Sequence, residues 1–111
     1  LADDHATTAS VMVHAVTELH CASRGIDLAC CVYPAAVLIS SQDLHESRDL
    51  LVSTDAQYVG AVVRFAHPIQ RAVAMEADGR LHLDRPEFSS TRTQDLPPRW
   101  HDAGQFYWGR V

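Results

Sequence analysis

The sequence predicts an α/β layered domain, with a mostly parallel sheet and an inserted antiparallel hairpin. Three observations predict it. Two short apolar runs, Leu28–Tyr33 and Tyr58–Val63, have the length and composition of buried strands. Segments with helical spacing of apolar residues precede and separate them. Further along, two short runs flank the turn Ala77-Asp78-Gly79-Arg80, a hairpin signature. Helix, strand, helix, strand, hairpin, loop, strand is the order of a layered α/β domain.

Each element has a local reason. From Thr8 to about Arg24, Met12, Ala15, Val16 and Leu19 recur at helical spacing, and Ser23-Arg24-Gly25 supplies a stop with Gly25 suited to a left-handed cap. Leu28–Tyr33 is apolar on both faces and closed by Pro34, as expected of a strand in the middle of a parallel sheet. Ser40 or Ser41 caps a helix over about Gln42–Val52, with Leu44 and Leu51 facing inward. After the Tyr58–Val63 strand, Val73–Glu76 and Leu81–Leu83 form the hairpin arms. Arg85–Arg99 is polar and Pro-rich, hence a long loop expected to cover a site, and Gln105–Val111 reads as strand again. The chain lacks an initiator Met and stops inside an apparent strand, so we expect residues 1–111 to be the central part of one longer domain.

Composition narrows the function classes. The chain has 111 residues, 47% hydrophobic and 21% charged, a globular balance. A net charge of −5 argues against nucleic-acid binding. No apolar run reaches the length of a membrane span, and the acidic start is unlike a signal peptide. All nine basic residues are Arg, which favours bidentate recognition of carboxylate and phosphate, although a GC-rich genome accounts equally well for such a count. Cys21, Cys30 and Cys31 form no CxxC pair, and Cys30 and Cys31, which lie in an apolar run, fit buried thiols in a reducing cytoplasm. His14 and His20 lack metal-ligand spacing, and none of the common phosphate-loop, zinc-protease or nucleophile-elbow motifs is present.

The stretch from Thr91 to Gly109 carries the strongest signal. It contains Arg92-Thr93-Gln94-Asp95-Leu96 followed by His101-Asp102-Ala103-Gly104-Gln105-Phe106-Tyr107-Trp108. Together they resemble the corresponding region of pseudaminic acid cytidylyltransferases, within the wider CMP-sialic acid synthetase family. Three further segments stand in the matching order. They are Leu1-Ala2-Asp3-Asp4 with Thr7 and Thr8, Cys30-Cys31-Val32-Tyr33-Pro34, and Phe65-Ala66-His67-Pro68-Ile69-Gln70-Arg71-Ala72.

The resemblance implies a Rossmann-like nucleotide-sugar transferase fold and the transfer of CMP from CTP to a nine-carbon acidic sugar. That displacement at the α-phosphorus releases pyrophosphate and depends on positioning and charge neutralisation. It implies Mg²⁺, with ligands expected after Val111, a triphosphate loop before Leu1, and a cytoplasmic setting. It also suggests a homodimer through the inserted hairpin. Asp4, Ala6 and Thr8 fall where relatives contact the nucleotide, and Thr7 or Thr8 would also serve as a helix N-cap. Arg92 matches the sugar carboxylate, with Arg71 a weaker case of the same logic. Gln105 suits an N-acetyl group, and Tyr107 and Tyr33 complete the expected sugar contacts.

The loop Pro34-Ala35-Ala36-Val37 departs from the family's Pro-Thr-Ala-Pro or Pro-Thr-Ser-Pro, lacking a hydroxyl and a proline. The resemblance therefore leaves alternatives beside pseudaminic acid activation: a sialic or legionaminic acid synthetase, or an inactive nucleotide-sugar-binding module of the same fold.

Overall fold

A computed structural model describes residues 6–111. Asp4 lies outside the described residues. These fall into two compact units, residues 6–61 with Ala103–Val111, and Val62–Asp102. No described helix is long and apolar enough to cross a membrane.

In the first unit, helix α1 spans Thr8–Glu18. Thr7 is its N-cap, accepting a 3.1 Å bond from the Ser10 N–H, so the Thr8 hydroxyl is left for another partner. The helix ends earlier than its periodicity suggests. His20 takes a left-handed φ of 51°, its N–H bonds the Thr17 carbonyl at 3.0 Å, and the Cys21 N–H reaches Val16 at 3.1 Å. This is a Schellman ending without glycine, and it turns Cys21 into the interior. Gly25 instead caps a separate 3-10 turn, Ala22–Arg24.

Helix α2 spans Ser41–Ser53 and begins with a capping box. The Ser40 hydroxyl accepts from the Asp43 N–H at 3.1 Å, and the Asp43 carboxylate accepts from the Ser40 N–H at 2.9 Å. Leu44, Ser47 and Leu51 share the inward face, with Leu51 at 0% exposure. The far end is held by Arg110, whose guanidinium donates to the carbonyls of Leu51 at 2.7 Å, Thr54 at 3.1 Å and Ala56 at 3.1 Å. A cation there satisfies late carbonyls and complements the helix dipole.

The capping box makes a pH prediction. Hydrogen bonds from the Ser40 backbone and then its side chain hold the Asp43 carboxyl below its ordinary 3.8. The charged form is therefore the one that stabilises the fold. Its contribution is present above the ordinary value and is lost as pH falls through the lowered one. Thermal unfolding followed by circular dichroism should show a steeper loss of Tm below pH 4 in the native chain than in Asp43→Asn.

The strands are β1 (Leu28–Val32), β2 (Tyr58–Arg64), β3 (Val73–Met75), β4 (Leu81–Leu83) and β5 (Trp100–Arg110). One sheet has the order β1-β5-β2, the other pairs β3 with β4. The expected mostly parallel, Rossmann-like sheet is contradicted. β1 and β5 run antiparallel, with Leu28 opposite Arg110 and Val32 opposite Phe106. β2 is also antiparallel to β5, since Arg110 donates to Gln57 at 3.2 Å while Phe65 donates to Arg99 at 2.9 Å. The physical reason is that β5 lies between the two apolar strands. An apolar run on both faces reports that both faces are covered, and says nothing about the direction of the neighbour.

β5 also starts earlier than expected, at Trp100 rather than Gln105. Its first residues, Trp100, His101 and Asp102, are exposed, and Gly104 adopts a φ of 61° inside the strand. Such a positive φ in mid-strand favours glycine and masks the period-two pattern.

In the second unit, β3 and β4 are antiparallel, with Val73 opposite Leu83 and Met75 opposite Leu81. The segment expected as an open loop contains two 3-10 turns, Pro86–Phe88 and Thr93–Asp95. Another, Ile69–Arg71, carries Gln70, which is only 1% exposed and donates from Nε2 to the Pro97 carbonyl at 3.0 Å. That bond fixes the path of the chain beyond the buried Leu96.

Candidate functional site

Alternation along β5 sorts its side chains into two sets. Phe106 is buried, and the Trp108 indole on the same face donates to the Leu44 carbonyl of α2 at 3.1 Å. Gln105 and Tyr107 occupy the opposite face. Tyr107 stands opposite Cys31, and the Tyr33 N–H donates to the Gln105 carbonyl at 2.9 Å, extending the ladder past β1. The Tyr33 and Tyr107 rings meet edge to face, centroids 5.5 Å apart at 66°.

Two contacts fix this pair. The Tyr33 hydroxyl and the Thr8 hydroxyl are 2.7 Å apart, joining the first turn of α1 to the sheet. Under the other ring lies Gly60, where a Cβ would stand 2.8 Å from Tyr107 Cδ1. Thr8, Tyr33, Gln105 and Tyr107 thus form one patch with Ala6 just ahead of the helix, half-buried. Paired hydroxyls exchange donor and acceptor roles, and the Gln105 amide offers both. The patch has the functional groups for a base edge or an acylamino group, with aromatic surface beside them.

Arg71 and Arg92 lie in the second unit. Arg71 Nη1 donates to the Thr91 carbonyl at 3.2 Å, and Arg92 Nε pairs with Asp95 at 2.7 Å. The seven described residues expected at the site therefore fall into two groups: five on the tyrosine patch and two arginines in the second unit. The role of the Thr91–Asp95 carbonyls and carboxylate in holding these arginines is not visible in a linear motif.

Two features escaped the sequence reading. Gly60 is one, although glycine inside an apolar strand is itself a sign of close approach. The other is a groove in the second unit, about 440 Å³, formed by Arg64–Pro68 on one side and residues between Thr93 and Arg99 on the other. Phe65 on its wall is held by the His101 ring at 4.8 Å.

Cys30 behaves as an inert thiol. Burial, and secondarily the neighbouring Cys31, pushes its pKa above the ordinary value, away from the thiolate form that reacts. Among the described residues no three His, Cys, Asp or Glu side chains converge. They do not fit a Mg²⁺ site, and no reaction step is assigned to a metal.

The fold and patch describe an α/β protein with a polar-aromatic surface on its central strand. Comparison with curated proteins identifies what this resembles. The chain is 29% identical, over 98% of its length, to the pseudaminic acid cytidylyltransferase of Campylobacter jejuni subsp. jejuni serotype O:2. It is 28% identical over the same share to the protein of that name from serotype O:23/36. It is 35% identical along its whole length to a Helicobacter pylori protein named pseudaminic acid cytidylyltransferase and UDP-2,4-diacetamido-2,4,6-trideoxy-beta-L-altropyranose hydrolase. The chain is thus a homologue of part of the pseudaminic acid cytidylyltransferases. It spans 47% of each Campylobacter relative and 21% of the Helicobacter one. No family model matches it.

Proposed function

We propose that the whole protein transfers CMP from CTP to pseudaminic acid, giving CMP-pseudaminic acid and pyrophosphate in the cytoplasm. The observation that carries this reading is the similarity, along essentially the whole chain, to three curated proteins bearing that enzyme's name. The tyrosine patch supplies compatible chemistry. In this reading Thr8, with Ala6 and Asp4, addresses the cytosine end of CTP. Gln105, Tyr107 and Tyr33 address the sugar's acylamino and deoxy carbons.

A sugar panel tests the reading. The whole protein, given CTP and equal concentrations of pseudaminic, legionaminic or sialic acid, should release pyrophosphate fastest with pseudaminic acid. Gln105→Ala should narrow that preference, because a polar group left unpaired costs binding only for the sugar that supplied its partner. Faster turnover of sialic acid would replace the substrate. An equal loss for every sugar would remove Gln105 from sugar selection.

A further inference from the structure

Thr8 and Tyr33 stand on different elements. Thr8 opens helix α1, and Tyr33 directly follows strand β1. Their hydroxyl oxygens are 2.7 Å apart, and either atom can be the donor. At that distance one hydroxyl gives its proton to the other. Each brings a single proton, so the pair keeps only one O–H for a ligand. That donor lies on Thr8 when Tyr33 donates inward, and on Tyr33 when Thr8 does. The helix cap does not compete for the Thr8 hydroxyl, because Thr7 accepts from the Ser10 N–H.

Both oxygens are held in place. The Tyr33 N–H is bonded to the Gln105 carbonyl at 2.9 Å, and its ring rests edge to face on Tyr107. The Tyr107 ring in turn occupies space that a side chain at position 60 would take. A ligand group arriving at either hydroxyl therefore sets the direction of the shared proton and leaves the two oxygens where they are. Hydrogen bonds that run head to tail polarise and strengthen one another. A donor on one ligand, the two hydroxyls and an acceptor on a second ligand make such a chain. Two acceptors, by contrast, compete for the one outward proton. The second ligand is bound more tightly once a first of complementary polarity has fixed the direction.

We infer that the Thr8–Tyr33 hydroxyl pair couples the two ends of the tyrosine patch, so that a nucleotide held at Thr8 and a sugar held at Tyr33 strengthen each other's binding. The inference rests on the cytidylyltransferase reading for the identity of the two ligands. A cytosine edge and an acylamino group each carry both a donor and an acceptor, so the chain closes in either direction. Each residue meets its own ligand and positions the hydroxyl that meets the other.

Calorimetric titration of the whole protein with pseudaminic acid tests it, with and without a saturating CTP analogue. The analogue carries a methylene group in place of the α,β-bridging oxygen, so no transfer occurs during the titration. In the native protein the analogue should strengthen binding of the acid about fivefold or more, and the acid should strengthen binding of the analogue by the same factor. Tyr33→Phe keeps the ring contact and removes the hydroxyl, while Thr8→Val keeps the shape and removes the other. Each should bring that ratio to within about twofold of unity, with the double variant no different from either single one. Thr8→Ser retains the hydroxyl and should retain the coupling. A merely structural role weakens both ligands and leaves the ratio as it was, so an unchanged ratio in folded Tyr33→Phe or Thr8→Val overturns the inference. Circular dichroism checks each fold, and where one variant misfolds the other decides. A native ratio near unity, alongside normal turnover, overturns the coupling alone. A native protein that neither binds nor turns over the two ligands overturns both readings.

Discussion

Leu51→Ala is expected to lower the unfolding free energy by about 2–5 kcal/mol. Leu51 has no exposed surface and sits at the last full turn of α2, on the face shared with Leu44. Removing its branched end deletes buried methyl groups and leaves a cavity. The surroundings have little freedom to close it. The Leu51 carbonyl is tied to Arg110 on β5, and the Leu44 carbonyl to the Trp108 indole on the same strand. A helix pinned to the sheet at both points cannot slide inward, so the cost belongs near the upper part of that range. Urea denaturation with an unchanged m-value would measure it. A loss below about 1 kcal/mol would mean that α2 does not pack on β5 as described.

Gly60→Ala is the second large effect, at about 1–3 kcal/mol. The new Cβ would meet Tyr107 Cδ1 at 2.8 Å and Cε1 at 3.2 Å, with the Phe106 carbonyl at 3.5 Å. Cδ1 is close to the root of the ring, so a small rotation of the distal end does not relieve the contact. The ring must swing, and its edge contact with Tyr33 must break with it. The substitution therefore has two readouts: lower stability, and displaced ring resonances of both Tyr33 and Tyr107 by NMR. A Gly60→Ala, Tyr107→Ala double variant should recover part of the loss, because the two residues share one volume. Additive losses would show that the close approach is absent.

The legibility of the chain varied with the range of the interaction. The cap at Ser40, the hairpin around Asp78-Gly79 and the strand starts at Leu28 and Tyr58 all follow from neighbouring residues, and all were readable. Strand direction was not. Leu28–Val32 declares that it is covered, but only the return of β5 between β1 and β2 decides which way its neighbour runs. The end of α1 was misplaced for a local reason, a left-handed His20 doing what was expected of Gly25.

The site divides in the same way. Tyr33, Gln105 and Tyr107 were suggested by motif, and the ladder through the Gln105 carbonyl shows how they share a face. The Thr8–Tyr33 contact links residues 25 apart in sequence and has no linear signature. Arg64 and Arg99 are likewise brought to one groove only by the chain's return, with Phe65 donating to the Arg99 carbonyl.

The central claim is CMP transfer to an acidic sugar, and product detection tests it most directly. The whole protein is incubated with CTP and pseudaminic acid, and the products are resolved by mass spectrometry with parallel assay of pyrophosphate. The account predicts a CMP–pseudaminic acid conjugate formed in step with pyrophosphate, and none when the sugar is omitted. Pyrophosphate release independent of the sugar, or no conjugate with any nine-carbon sugar acid, would contradict it.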